Sequence, residues 1–232
     1  ITGGCGSIGG NLVLILSKIK GIKIFIVDIN EYNTFGLLNL NIDHKYLKRI
    51  SIQNINIENK NEITSYIKAI KPNYVFNTAA VKHVKLIEEN PLRAIKTNII
   101  GTANVLQGSS EANVKGFIHV STDKAAEPIN LLGITKKISE LISRQYSKNT
   151  NMKVGIVRFG NVFDSYGSVS ELFRHNILNN KKINISNPNV ERFFMSKLEA
   201  TNFLITSLNL LLKHKYKKQS KIYIYDMGKP IK

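Results

Sequence analysis

Short β-branched and aromatic runs recur along the chain, separated by longer segments of amphipathic, helix-length pattern. The runs "IKIFIVD" at 22–28, "YVFNTAA" at 74–80, "GFIHVST" at 116–122, "KVGIVRF" at 153–159 and "KIYIYDM" at 221–227 predict strands, and the segments around them predict helices at 8–19, 61–70, 91–110, 131–147 and 197–213. Alternation of this kind indicates βαβ units and a parallel sheet. The runs stay apolar without strict alternation, as expected of strands covered by helices on both faces. Pro91 falls at the start of a predicted helix, where a missing N–H costs nothing. After Asn161 the pattern loses its regularity, with "SYGSVSELFRHNI" and "NISNPNVERFF" ahead of the last helix.

Composition narrows the classes. A chain of 232 residues, 43% of them hydrophobic, can bury one sizeable core with a smaller lobe attached. No apolar run approaches the roughly 18 to 20 residues that span a bilayer, so no membrane contact is expected in this segment. The single cysteine, Cys5, cannot form an internal disulfide and suits a reducing cytosol, so a cytoplasmic location is expected. The net charge of +17 would attract polyanions. The lysines are scattered among Asn and Ile, however, without an aromatic-plus-basic cluster, and nucleic acid is not expected as a partner.

The first chemistry-bearing motif is "TGGCGSIGG", which gives Gly3-x-x-Gly6-x-x-Gly9 running into an apolar helix. Such glycines permit a tight turn, the approach of backbone N–H groups to a pyrophosphate, and close helix-to-sheet packing. A strand ending in Asp28 follows, placing a carboxylate where it would bind the adenosine ribose. No basic residue directly follows Asp28, which favours NAD over NADP, with NADP left open. Gly3, Gly6, Ser7, Ile8, Gly9 and Asp28 are therefore the first cofactor-binding candidates. Cys5, inside the turn, reads as a small buried thiol packing near the cofactor. The fold expected is α/β, a Rossmann-type doubly wound parallel sheet with a small C-terminal substrate-binding lobe. Residues 1–160 form the dinucleotide-binding domain of this reading. Residues 161–232 form the lobe, with a last helix and strand intertwined with the first domain. Because almost no strand precedes Gly3, the natural chain is expected to extend beyond this segment at both ends, and a membrane anchor ahead of Ile1 is left open.

The glycine turn, "STDK" at 121–124 and the lysine at 136 together resemble the extended short-chain dehydrogenase/reductase family. The strings "AAVKHVKLIEENPLRAIKTNIIGTANV", "STDKAAEPINLLGITK", "VRFGNVFDSYGSV", "ERFFMS" and "DMGKPIK" narrow the resemblance to CapD-type polysaccharide-biosynthesis proteins, the UDP-N-acetylglucosamine 4,6-dehydratases. The resemblance implies oxidation of the sugar at C4, loss of water across C5 and C6, and return of the hydride to C6. It implies that Asp123 protonates the leaving hydroxyl, Lys124 takes the C5 proton, Thr122 hydrogen-bonds near the C4 oxygen, and Lys136 binds the nicotinamide ribose. Asn56, Ile57, Ala79, Ala80, Lys82 and Asn98 are implied as cofactor-lining positions. Lys82, Asn161, Ser168 and Arg192 are implied at the sugar nucleotide. A UDP-sugar substrate, a homo-oligomer and no metal complete the expectation. The competing reading of Asp123 and Lys124 is a solvated charge pair in a loop.

Departures from the family pattern keep alternatives open. Leu132 stands where the wider family has the tyrosine of Tyr-x-x-x-Lys, and it can neither accept nor donate a proton. Asn56 replaces an aspartate, Asp164 a glycine and Glu191 a threonine. An extra carboxylate at 164 would repel a diphosphate unless it points away. His83, beside Lys82, reads as a packed or hydrogen-bonded histidine rather than a base. An epimerase or bifunctional dehydratase/epimerase shares the fold and much of this site, and a non-catalytic cofactor-binding paralogue would explain Leu132 together with Asp164.

Overall fold

A computed structural model describes residues 1–185, 187, 189–215 and 218–231. Its strands are β1 (Ile24–Asp28), β2 (Ile50–Asn54), β3 (Tyr74–Asn77), β4 (Gly116–Thr122), β5 (Lys153–Phe159), β6 (Asn161–Val162), β7 (Phe194–Met195) and β8 (Lys221–Ile224). Its helices are α1 (Ser7–Ser17), α2 (Glu31–Gly36), α3 (His44–Leu47), α4 (Lys60–Ile70), α5 (Val84–Glu89), α6 (Pro91–Ala94), α7 (Thr102–Glu111), α8 (Leu131–Asn149), α9 (Val169–Leu178) and α10 (Lys197–Lys213).

Strands β3, β4, β5 and β8 pair in that order, all parallel, and β1 pairs parallel with β2. Thr2 joins the two groups, bridging in parallel to Val27 of β1 and Asn77 of β3. Residues 1–2 therefore occupy the slot at which the strand order reverses, the place where open α/β sheets open a ligand crevice. The strand ends shift slightly from the predicted runs, most of all at 225–227 and at 78–80, the latter leaving the sheet to line that crevice.

The two faces of the sheet explain the continuous apolar runs. Val75, Phe117 and Val154 face a cluster with Ile63, Ile67, Val105 and Leu106 from α4 and α7. Phe76, Ile118 and Val157 face the other side, against Leu12 of α1 and Ala200, Leu204, Leu208 and Leu211 of α10. Neighbouring residues thus bury on opposite faces, the pattern of a sheet covered on both sides. Among the described residues no helix is long and apolar enough to cross a membrane.

Beyond Phe159 the chain runs through β6, α9 and β7, and β6 pairs in parallel with β7, Asn161 opposite Phe194. It returns to the sheet through α10 and β8. A capping box holds the start of α10, where the Ser196 hydroxyl accepts from the Glu199 N–H and the Glu199 carboxylate accepts from the Ser196 N–H.

The segment predicted as one helix at 91–110 contains a π-helical stretch at Ile95–Gly101 between α6 and α7. Asn98, fully buried, accepts from the Val81 N–H at 2.9 Å and donates to the Val81 carbonyl at 3.0 Å and to Thr135 Oγ1 at 3.2 Å. The widened turn is what such stretches commonly provide at functional sites.

Candidate active site

The glycine turn sits at the crevice, and each of its glycines has a separate reason. Gly3 has φ +63°, and a Cβ there would lie 2.7 Å from the backbone of Ala79. A Cβ on Gly9 would overlap the Gly3 carbonyl oxygen, so Gly9 lets α1 pack against the turn. Gly6 faces only the Gly3 oxygen, at 3.2 Å from an added Cβ, and is the N-cap of α1 without a side-chain cap. The first N–H groups of α1 are thus presented to an anion. Thr78 braces the turn, its hydroxyl donating to the Thr2 carbonyl at 2.7 Å.

A cleft of about 260 Å³ opens beside this turn, and of the predicted cofactor residues Gly3, Gly6, Asp28, Asn56, Ile57, Ala79 and Ala80 line it. Asp28 accepts from the Cys5 N–H at 2.8 Å and from the Asn30 N–H at 2.9 Å, which fixes the carboxylate at the mouth. Asn56 is held by its own loop, accepting from the Glu58 N–H at 2.9 Å. Asn30, Arg93 and Thr97 also line the cleft. Sequence reasoning missed them because they lie outside the glycine motif and carry no spacing signal. Cys5 is buried and takes a hydrogen bond from the Thr34 hydroxyl at 3.3 Å. Burial pushes its pKa up to about 11, against the effect of that bond, so the thiol is inert packing.

Of the remaining cofactor candidates, Ser7 Oγ accepts from the Tyr166 N–H at 2.8 Å, which ties the turn to the 163–168 loop. The Ile8 side chain packs among the residues between α1 and α10, leaving only its backbone for a ligand. Asn98 lies beneath the crevice and acts by holding Val81. Lys82 reaches Ser165 Oγ at 3.1 Å; burial lowers its pKa, Glu171 opposes and Lys197 adds to the lowering.

Lys136 is the most telling cation. It is 5% exposed, and among the described residues its ammonium has no hydrogen bond or ion pair. Burial pulls its pKa down to about 8, with Glu140, one turn on, acting in the opposite direction. That carboxylate is already engaged by Arg158 Nη2 at 2.6 Å and Ser121 Oγ at 2.6 Å. An ammonium on so enclosed a side chain keeps little of its hydration, and a ligand bearing hydroxyls or negative charge would offset that loss. The glycine turn and Asp28 therefore fit the pyrophosphate and one ribose of a dinucleotide.

At the carboxyl end of β4, Asp123 Oδ1 accepts from the Thr122 hydroxyl at 2.8 Å, the Lys124 N–H at 2.8 Å and Lys124 Nζ at 2.9 Å. Lys124 Nζ also reaches Asn161 Oδ1 at 3.4 Å, so β6 meets the end of β4 here. The Asp123 and Lys124 side chains are 35% and 26% exposed, more enclosed than the surface pair Lys45–Asp43 at 63% and 49%. They are a charge pair, but one set at the crevice edge rather than in a free loop.

The other two substrate candidates are not brought to this cluster. The Ser168 hydroxyl caps α9, accepting from the Glu171 N–H at 3.4 Å, and lies 2.9 Å from Ser170 Oγ. Arg192 is exposed and donates to the Glu191 carbonyl at 2.8 Å, while its backbone bridges to Ile231. Asp164 adopts φ +53° and turns its carboxylate to Arg174, at 3.2 Å, so the feared repulsion is locally neutralised. His83 packs its ring against Gly167, where a Cβ would overlap it, and burial with help from Lys82 lowers its pKa. Among the described residues no group of His, Cys, Asp and Glu could hold a metal ion.

Fold and site together define a Rossmann-type α/β protein with a glycine turn at its sheet crevice. The chain belongs to the polysaccharide biosynthesis protein family, whose sequence profile matches residues 1–232. It is 34% identical over 235 residues to the capsular polysaccharide biosynthesis protein CapD of Staphylococcus aureus, covering 100% of this chain and 38% of that protein. It is 35% identical over 215 residues to a UDP-glucose 4-epimerase of Rickettsia bellii, covering 88% of this chain and 60% of that protein. The solved structure of Pen from Bacillus thuringiensis superposes with a TM-score of 0.84 at 32% identity, covering 90% of this chain and 64% of that one. The chain thus spans less than two thirds of each of these relatives.

Proposed function

We propose that this chain carries the cofactor site and the proton-transfer groups of a nucleotide-sugar 4,6-dehydratase acting on UDP-N-acetylglucosamine, in the making of surface polysaccharide. The observation that carries the reading is the convergence of Thr122, Lys124 Nζ and the Lys124 N–H on one oxygen of Asp123, with Lys124 also reaching Asn161. An acid and a base in direct contact at the carboxyl end of β4 are what elimination of water next to a ketone requires.

The cofactor of this reading is NAD, held by the glycine turn, Asp28 and Lys136; when bound it supplies a reversible hydride acceptor. All proton movements fall to the chain's own groups. The Lys124 ammonium first gives up a proton to solvent; from the amine and the Asp123 carboxylate so formed, the C4 hydroxyl proton passes through Thr122 Oγ1 to Asp123. Lys124 Nζ takes the C5 proton, and Asp123 protonates the C6 hydroxyl, which leaves as water. Lys124 then returns a proton to C5, so each group ends as it began. This route needs no phenol at position 132, which accounts for Leu132. Lys82 and Asn161 would face the sugar nucleotide, and the 161–232 segment would act as its lobe. Ser168 and Arg192 would serve only after a shift of side chain from their present partners.

A homo-oligomer belongs to the same proposal. Ile134, Ile138 and Leu141 of α8 lie at helical spacing and are 38% to 52% exposed, beside exposed Leu92 and Ile95. A second copy would cover this stripe.

The experiment is an NMR time course of UDP-N-acetylglucosamine with the protein and NAD in D₂O. A 4-keto-6-deoxy sugar carrying deuterium at C5, lost in Lys124→Ala, is the expected result. The named Rickettsia relative favours a second reading, C4 epimerisation, in which a C4 epimer without loss of water would appear instead.

A further inference from the structure

The centre of the sheet holds a line of polar side chains that the proposed chemistry does not use. Thr2 Oγ1 donates to Asn77 Oδ1 at 2.6 Å, and Asn77 Nδ2 lies 3.3 Å from His119 Nδ1. His119 Nε2 lies 2.9 Å from Ser139 Oγ, and that hydroxyl donates to the Lys136 carbonyl at 2.8 Å. Thr2, Asn77, His119, Ser139 and Lys136 are each 5% exposed or less.

Counting donors settles the direction. Ser139 spends its one hydrogen on Lys136, so it accepts from His119, and Nε2 carries the imidazole hydrogen. Nδ1 is then a lone pair, which accepts from the Asn77 amide. Asn77 can donate there because its oxygen is already turned to Thr2. Protonating His119 would set two donors against each other at Asn77, so the ring is neutral. Burial, reinforced by the Lys136 charge, holds its pKa well below the ordinary range. Apolar side chains of the same size would fill this core without the cost of four desolvated polar groups. The ends of the line are informative. One is the residue before Gly3, and the other is the backbone of Lys136, the lysine read above as a cofactor ligand.

We propose that His119 is a positioning residue, fixing the spacing between the glycine turn and Lys136 through a one-way hydrogen-bond chain across β3, β4 and α8, so that the pyrophosphate and the nicotinamide ribose of a dinucleotide are held at once. The inference rests on the dinucleotide reading given above. It predicts that cutting the chain weakens cofactor binding through Lys136, not through a general loss of fold.

The test is the dissociation constant of NADH for the whole chain, read by fluorescence. His119→Phe keeps the volume and removes both bonds, and should weaken NADH about tenfold. His119→Gln offers an oxygen to Asn77 and an N–H to Ser139, and should stay within about threefold of the parent. In a Lys136→Met background His119→Phe should change the constant by less than about twofold, because the two act as one unit. Ser139→Ala cuts the same chain at the α8 end and carries the test if His119→Phe does not fold. Equal losses with and without Lys136, Gln as weak as Phe, or unchanged binding in both chain-cutting variants would overturn the inference alone. A parent protein that binds no NADH would overturn the dinucleotide reading and this inference with it.

Discussion

Gly133 lies directly against the backbone of Lys124: a Cβ added to Gly133 would overlap the Lys124 carbonyl oxygen and sit 3.1 Å from the Pro128 ring. The contact presses the first turn of α8 onto the loop that carries the proposed base. One residue thereby sets Lys124 relative to Lys136, a turn further along the same helix.

Because the partner is backbone, no rotamer change can relieve a larger side chain there. Gly133→Ala should cost about 1–3 kcal/mol of stability through overpacking. Turnover should fall more steeply than NADH affinity, since the displaced group is Lys124 and not the glycine turn. Urea melts and a paired measurement of kcat and NADH binding check this. Equal losses in kcat and affinity would point to general loosening instead.

Leu132 is 8% exposed and packs against Ile87 and Ala94, with Val81 and Leu131 at the edge. An apolar pocket of this kind accepts a volume-conserving change. Leu132→Met should alter stability by less than about 1.5 kcal/mol and leave turnover near the parent level. Leu132→Tyr would drive a larger, polar side chain into the same space and should lower both stability and rate. A gain of activity in Leu132→Tyr would show that the proton route through Thr122 is not the one in use.

The sheet and its helices were legible wherever a strand is covered on both faces, as with Val75, Phe117 and Val154 on one side and Phe76, Ile118 and Val157 on the other. Strand β2 was not, because "ISIQN" is a sheet-edge strand whose last two residues are exposed, and no apolar run marks it. The π-helical stretch was hidden for another reason. It accompanies the bonds between Asn98 and Val81, seventeen positions away in sequence, and one inserted residue hardly disturbs the apolar period. At the site, the glycine turn and Asp28 carry a signal in local spacing, whereas the 122–124 triplet stands out only through the family resemblance. Gly133 against Lys124, Asp164 against Arg174 and His119 against Ser139 are products of the fold. No local signal in "LLGITK" separates a glycine under steric demand from one that is merely tolerated.

Asp164 offers a test in which two small effects oppose. Its ion pair with Arg174 is surface-exposed, at 41% and 62%, and pairs of that kind contribute about 0–1 kcal/mol. Its φ of +53° is one that glycine adopts freely, at a gain of about 1 kcal/mol. Asp164→Gly should therefore leave stability within about 1 kcal/mol of the parent, and UDP-sugar affinity should hold or improve. Loss of more than a few kcal/mol would mean that the pair anchors α9, which a Arg174→Ala variant would reproduce.

The last prediction concerns the buried ammonium of Lys136, whose pKa burial lowers from the ordinary 10.5 to about 8. Below pH 8 the ion is protonated in both folded and unfolded chains, so its burial penalty is present in full. As pH rises from about 8 towards 10.5 the unfolded chain binds more protons than the folded one, and this group makes the cofactor-free protein more stable. Cofactor binding runs the other way. Ribose hydroxyls and the diphosphate charge favour the ammonium, so the complex keeps its proton to higher pH than the empty site. NADH affinity should thus be flat below pH 8 and fall above it, by up to about tenfold per pH unit. Lys136→Met should abolish that slope and stabilise the empty protein by about 1–4 kcal/mol at neutral pH, because an unpartnered buried charge gives way to an apolar side chain of similar length. NADH titrations between pH 7 and pH 10, beside thermal melts of both proteins, measure the two effects together. A flat affinity profile in the parent, or a destabilised Lys136→Met, would show that the ammonium finds a partner of its own within the empty fold.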